Sequence, residues 1–154
     1  MTLGKFTVAA IMCGFLFSAT AQQVNAVKVF ADAEAQTKHM LKNVEEIRIK
    51  KPELVSPRTI EHGALKMVAS KDWTSGFFPG VLWFLYEYTG KNEWRQHAES
   101  FTALMEKEKL NAGTHDMGFK MYCSFGTGLR LTGNAQYKDI LIESARTLIT
   151  RFRP

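Results

Sequence analysis

Twice along this chain an apolar, glycine-bearing segment runs into a Thr-Gly pair and is followed by an amphipathic segment. Thr89-Gly90, followed by Trp94, Arg95 and Leu104, is matched by Thr132-Gly133, followed by Tyr137, Lys138 and Leu148, at a spacing of 43 residues that becomes 44 after one insertion. The beginnings correspond as well. Gly76-Phe77 and Gly118-Phe119 each open an apolar stretch just after a loop with acidic and aromatic or histidine residues. A repeated unit of inner helix, Thr-Gly turn and outer helix at this period indicates an α-solenoid or a closed ring of helical hairpins. Two units cannot close a ring, so apolar surface should remain open on one side of the last pair unless something covers it.

The remaining elements fit that plan. Ala26 to Ile49 reads as a first helix, with Val29, Ala33, Met40, Leu41, Val44 and Ile47 near helical spacing, and Pro52 ends it. Lys51 to Asp72 contains Pro52, Pro57 and Gly63 without a sustained period and is expected to be a long ordered loop. From Ser75 the stretch Gly76 to Tyr86 is apolar on every side, which predicts a helix buried all round, with Ser75 as N-cap and Pro79 inside the first turn. Asn92 to Lys109 is amphipathic, with Trp94, Ala98, Phe101 and Leu104 or Met105 on one face. Met117 to Leu131 is apolar but carries Gly118, Ser124, Gly126 and Gly128, a poor helix unless close neighbours use the small residues. Asn134 to Phe152 is the second amphipathic helix. The fold class expected is all-α, with about five helices.

The N-terminus reads differently. Lys5 precedes an apolar run from Phe6 to Phe17, then Ala19-Thr20-Ala21, so residues 1–21 form a secretory signal peptide with cleavage expected before Gln22. An uncleaved anchor is the alternative. Cleavage implies a secreted or periplasmic protein and removes Cys13, leaving Cys123 as a single thiol that can make no internal disulfide and reads as buried and structural. With 45% hydrophobic and 23% charged residues, the composition is that of an ordinary globular unit and nothing in it argues for disorder. The formal charge of +5 is scattered among acidic residues, which argues against nucleic acid as a partner and is compatible with anionic substrates.

Few residues could carry chemistry. Gly126-Thr127-Gly128 lies within a helical pattern and lacks a third glycine, so no nucleotide cofactor is expected. His39, His62, His97 and His115 form no i, i+4 pair with a nearby carboxylate, so no metal is expected. The informative stretches are the two loops that feed the apolar helices, Lys71 to Phe77 and Gly113 to Phe119, because a ring of hairpins gathers such loops at one end. There Asp116 could exchange protons or grip sugar hydroxyls, His115 could donate to a carboxylate or hydroxyl, and Trp73 could stack on a sugar face. Asp116 as a helix N-cap, Trp73 as a hydrophobic staple and His115 as a plain loop residue are the structural alternatives. Asp72 and Glu61 read as structural or solvated.

The string Asp72-Trp73-Thr74-Ser75-Gly76-Phe77-Phe78-Pro79-Gly80, with Leu82-Trp83 and Thr89-Gly90 after it, resembles a signature of family 88 glycoside hydrolases of the unsaturated glucuronyl hydrolase type. Thr114-His115-Asp116-Met117-Gly118-Phe119 resembles the second signature. Pro57-Arg58-Thr59, Leu131-Thr132-Gly133 and Arg151-Phe152 extend the likeness over Ala26 to Pro154. The resemblance implies an (α/α)6 barrel, here incomplete, and release of an unsaturated uronic acid from the non-reducing end of lyase-generated oligosaccharides. One carboxyl protonates the 4,5 double bond, water adds to the neighbouring carbon, and the hemiketal collapses. In that scheme Asp116 matches the carboxylate that holds hydroxyls and tunes the proton donor, while Trp73 and His115 match residues lining the sugar subsite. The proton-transfer aspartate follows the Arg-Phe pair in the family, beyond Pro154, so the 154-residue chain is expected to be inactive alone. The alternatives are an unsaturated rhamnogalacturonyl hydrolase and a non-catalytic helical piece that binds carbohydrate or a partner.

Overall fold

The computed structural model describes residues 24–153, so the signal peptide expected at 1–21 lies outside the described residues. Helix α1, Ala26–Lys50, is followed by strands β1, Leu54–Glu61, and β2, Ala64–Ala69. Then come α2, Phe77–Thr89, α3, Asn92–Ala103, and a 3-10 helix, Glu106–Leu110. A π-helical segment, Gly118–Gly126, runs directly into α4, Thr127–Thr132, and α5, Ala135–Ile149, closes the series. The arrangement is that of part of an α/α barrel, in which α2 and the π–α4 helix are inner helices and α3 and α5 outer ones.

The two Thr-Gly turns are the same structure made twice. Gly90 and Gly133 adopt left-handed φ of 67° and 69°, and their amides donate to Tyr86 O and Leu129 O, both at 2.8 Å. Side chains with a Cβ resist that backbone conformation, which is why glycine closes both helices. Each threonine hydroxyl donates to the carbonyl four residues back, Leu85 O or Gly128 O, and accepts at 3.2 Å from the amide two residues on. The inner helices differ in one respect. From Gly76 to Thr89 is thirteen residues and from Gly118 to Thr132 fourteen. The π-helical winding, with its i to i+5 bonds, absorbs an extra residue without changing where the helix starts and stops.

The segment expected to be a loop between α1 and α2 is instead a two-stranded antiparallel hairpin. His62 and Gly63, with φ of 51° and 76°, form its tight turn, and both central residues of that turn type need positive φ. Pro57 is tolerated because the register shifts there and again between Leu54 and Ser56. Val55 and Ser56 of β1 and Met67 and Val68 of β2 are buried, so the hairpin closes one side of the core.

Other expectations need adjusting. Ser75 does not cap α2: Gly76 holds that position, and the Ser75 hydroxyl donates at 2.7 Å to Ser70 O and Asp72 O. Pro79 sits in the first turn, where no intrahelical donor is lost. Helix α3 ends at Ala103 rather than Lys109, since the chain turns there to bury Met105 and Glu108. Nor is α2 buried all round, because Phe77, Val81, Phe84 and Tyr88 remain exposed along one stripe, Phe84 at 54%.

One core packs Leu41, Val44, Leu82, Trp83, Trp94 and Phe101, and a second packs Val55, Met105, Met117, Met121, Phe125 and Ile140. The buried indoles are satisfied: Trp83 donates to Thr102 Oγ1 at 2.9 Å and Trp94 to Glu34 Oε1 at 2.7 Å. Cys123 is half-buried, and burial pushes its thiol pKa up, as suits a structural cysteine.

Of the described glycines, Gly76 makes the tightest approach, against the other inner helix. A Cβ on Gly76 would overlap the carbonyls of Phe119 and Lys120 and lie 2.6 Å from Lys120 Cα, whereas one on Gly118 would meet open space. The obstacle at Gly76 is backbone, which cannot rotate aside. Gly76→Ala is therefore expected to cost about 3 kcal/mol or more in urea unfolding. Gly118→Ala is expected to gain about 0.5–1 kcal/mol through helix propensity.

Candidate functional site

The loop from Ser70 to Gly76 is organised by Asp72. Its Oδ1 accepts from the Thr74 amide at 2.9 Å and the Thr74 hydroxyl at 2.6 Å, and its Oδ2 accepts from Arg58 of the hairpin at 3.1 Å. The Ser56 hydroxyl donates to Ser75 O at 2.9 Å and adds a second tie to the hairpin. Burial pushes the Asp72 pKa up, but the Thr74 hydrogen bonds and the charges of Arg58 and Lys120 outweigh it and hold the carboxyl below its ordinary value. Asp72 is thus structural, in line with its sequence reading, and Glu61 pairs with Lys66 on the exposed hairpin at 2.7 Å.

The second loop runs from Asn111 to Met117. Asn111 Oδ1 accepts from the Gly113 amide at 2.9 Å, and Thr114 Oγ1 accepts from the Asp116 amide and donates to Asp116 Oδ2, both at 3.1 Å. The Asp116 carboxylate turns back to Thr114 and caps no helix, so the N-cap alternative is not realised. His115 Nε2 lies 3.5 Å from Asp116 Oδ1, with the histidine side chain 84% exposed, and the two form an ion pair when the imidazole is protonated.

The loops meet at a cavity of about 460 Å³ lined by Val68, Ala69, Lys71, Asp72, Trp73, Thr114 and Asp116. Trp73 is 44% exposed there. Its ring meets Phe77 and Phe119 edge-on at 5.8 Å, and those two meet each other at 5.7 Å. This triangle fixes the indole while leaving surface for a ligand. Of the three residues singled out from sequence, Trp73 and Asp116 line one cavity and His115 stands against Asp116. An indole beside a carboxylate that retains free lone pairs can stack on a sugar ring and accept its hydroxyls.

Behind the cavity lies a group that sequence reasoning missed. Lys120, on the π-helical segment, is 0% exposed, and its Nζ donates to Glu108 Oε2 at 3.0 Å and to Lys71 O at 2.8 Å. Glu108, 5% exposed, also accepts from Ser70 Oγ at 2.6 Å and Asn111 Nδ2 at 2.7 Å. Burial pushes the Glu108 pKa up, but donors from Asn111, Ser70 and Lys120 outweigh it and hold the carboxyl below its ordinary value. The signal available was Lys120 itself, the one charge between Met117 and Leu129. Among the described residues no three potential metal ligands cluster, and no helix is long and apolar enough to cross a membrane.

This geometry has relatives. An unsaturated glucuronyl hydrolase of Formosa agariphila is 59% identical over 86 residues, covering 55% of this chain and 22% of that protein. One from Bacillus sp. strain GL1 is 33% identical over 86 residues, covering 53% and 22%. The chain is related to the unsaturated glucuronyl hydrolases. The crystal structure of an unsaturated glucuronyl hydrolase specific for heparin superposes with a TM-score of 0.62 at 37% identity, over 66% of this chain and 27% of that one. The Bacillus sp. GL1 enzyme structure, responsible for glycosaminoglycan degradation, superposes with a TM-score of 0.64 over 80% of this chain and 33% of that one, and at 23% identity it speaks for the fold alone. No protein-family model matches the chain. The matched stretch thus spans about a quarter of the unsaturated glucuronyl hydrolases it resembles.

The buried pair gives a test. Lys120→Met leaves the Glu108 charge buried without its cation and is expected to cost about 3–5 kcal/mol in urea unfolding at neutral pH. Replacing both, Lys120→Met with Glu108→Leu, is expected to recover most of that loss. Because the folded-state pKa of Glu108 is lowered, its contribution is full above the ordinary carboxylate range and is lost as pH falls through the lowered value. Glu108→Gln should therefore flatten the acid side of the stability–pH profile relative to the parent chain.

Proposed function

We propose that this chain forms the part of a family 88 unsaturated uronyl hydrolase that receives the terminal unsaturated sugar. The observation that supports this reading is the meeting of Trp73 and Asp116, from loops that each precede an inner helix, at one cavity with His115 at 3.5 Å from Asp116. The substrate class is an oligosaccharide ending in a 4,5-unsaturated uronic acid. Trp73 stacks on the sugar ring, Asp116 accepts its hydroxyls and His115 donates to them. The apolar run from Phe6 to Phe17 supports export to the periplasm or beyond as part of the same reading.

In the reaction a proton adds to the double-bond carbon C4 and water adds at C5; the hemiketal opens at the C5–O5 bond to a ketone and leaves a hemiacetal at C1, whose collapse to the aldehyde breaks the C1–O bond and frees the attached sugar as an alcohol. That sequence needs a protonated carboxyl poised over the double bond as well as a carboxylate that holds hydroxyls. The cavity offers Asp116 for the second role. Asp72 cannot serve as the donor: Thr74 and Arg58 occupy its oxygens, and its lowered pKa keeps it ionised at neutral pH. On this reading the described residues of the cavity bind the sugar without supplying the proton donor.

Two measurements check this. Calorimetric titration of the 154-residue chain with an unsaturated uronyl disaccharide should show binding that weakens about tenfold or more in Asp116→Asn and in Trp73→Ala. Absorbance of the conjugated double bond should stay constant during prolonged incubation with the same protein. Absence of binding by a folded chain would overturn the assignment of the cavity, and loss of absorbance would overturn the division of labour between Asp116 and a donor elsewhere.

A further inference from the structure

Lys71 stands between the buried ion pair and the candidate cavity. Its carbonyl accepts from Lys120 Nζ at 2.8 Å, which pins the backbone, while the residue is exposed and is part of the cavity lining with Trp73 and Asp116. It is the one cationic side chain among the lining residues. Among the described residues its ammonium enters no ion pair, although most neighbouring lysines do: Lys66 with Glu61, Lys109 with Glu106 and Glu143, Lys120 with Glu108. The two carboxylates of the cavity differ in the same way. Asp72 is neutralised by Arg58 at 3.1 Å, but Asp116 has only the Thr114 hydroxyl at 3.1 Å and an exposed histidine at 3.5 Å. An anionic ligand stacked on Trp73 would thus be repelled by Asp116, and Lys71 is the charge placed to offset that repulsion.

We infer that Lys71 pairs with an anionic substituent of the bound sugar, a carboxylate or a sulfate ester, and makes the cavity prefer acidic over neutral oligosaccharides. This rests on the cavity being a sugar site. Lysine suits the task because its ammonium is a compact charge on a flexible stem anchored at a fixed backbone, able to follow anions whose positions differ between substrates. Its exposure makes the pairing sensitive to salt.

The test titrates the 154-residue chain and Lys71→Gln with three probes: an unsulfated unsaturated uronyl disaccharide, its uronate methyl ester, and the disaccharide bearing a ring sulfate. The parent chain should bind the acid about fivefold tighter than the ester, and Lys71→Gln should bind both with the weaker affinity. A loss confined to the sulfated probe would assign the partner as sulfate, and a loss shared by both acids but not the ester would assign it as carboxylate. Unchanged affinities in Lys71→Gln, or equal weakening toward all three probes, would overturn the inference and leave the sugar site standing. No binding of any probe by a chain that circular dichroism shows folded would overturn both.

Discussion

The two loops of the candidate site are held to one another at Lys120, where the inner helices cross. Its backbone lies against Gly76 so closely that no side chain fits between, and its ammonium reaches past the crossing to Glu108 and the carbonyl of Lys71. Taking two charges out of water is costly, and the pair persists because its hydrogen bonds are filled: two acceptors for the ammonium, and donors from Ser70, Asn111 and Lys120 for the carboxylate. The consequence is geometric. The loop that presents Trp73 is fastened to the helix that follows Asp116 from inside the fold, so nothing needs to bridge the opening from outside.

That inner attachment was hidden in the sequence for a definite reason. Glu108 lies in Glu106-Lys107-Glu108-Lys109, an alternating charge run that reads as a solvated face, and only the turn after Ala103 rotates it inward. The hairpin was hidden by its own irregularity. Pro52, Pro57 and Gly63 are loop residues by local chemistry, and two register shifts in β1 erase the alternation that would mark a strand. What was legible depends on short-range rules: the Thr-Gly caps, the alternation of apolar and amphipathic helices, and the loops gathered before the inner helices. Asp116, Trp73 and His115 stand out together in the sequence because each lies in a loop that the repeat places at the same end, and the structure brings those loops together. Their roles were not legible, since capping and catalysis ask for the same residue at the same position.

The exposed stripe of α2 shows how a composition argument can overreach. A helix that is apolar on every side needs burial on every side, yet Phe77, Val81 and Phe84 face solvent beside the exposed Phe119 and Tyr122 of the π-helical segment. The first of these residues also belongs to the site, because Phe77 and Phe119 form the edges on which Trp73 rests. The aromatic triangle thus joins the open inner face to the candidate cavity.

Two aspartates at one opening illustrate how environment, not residue type, divides labour. Asp72 meets an amide, a hydroxyl and a guanidinium, and its charge goes to shaping the loop. Asp116, with a single hydroxyl at 3.1 Å and an imidazole at 3.5 Å, keeps lone pairs available. Asp116, partly exposed, and the exposed Lys71 and Trp73 stay in contact with solvent at the cavity, so their polar atoms and ring surface are open to a ligand. Under the proposed function the three groups divide one molecule between them: a ring face for Trp73, hydroxyls for Asp116 and an anion for Lys71 would all be met by a uronic acid.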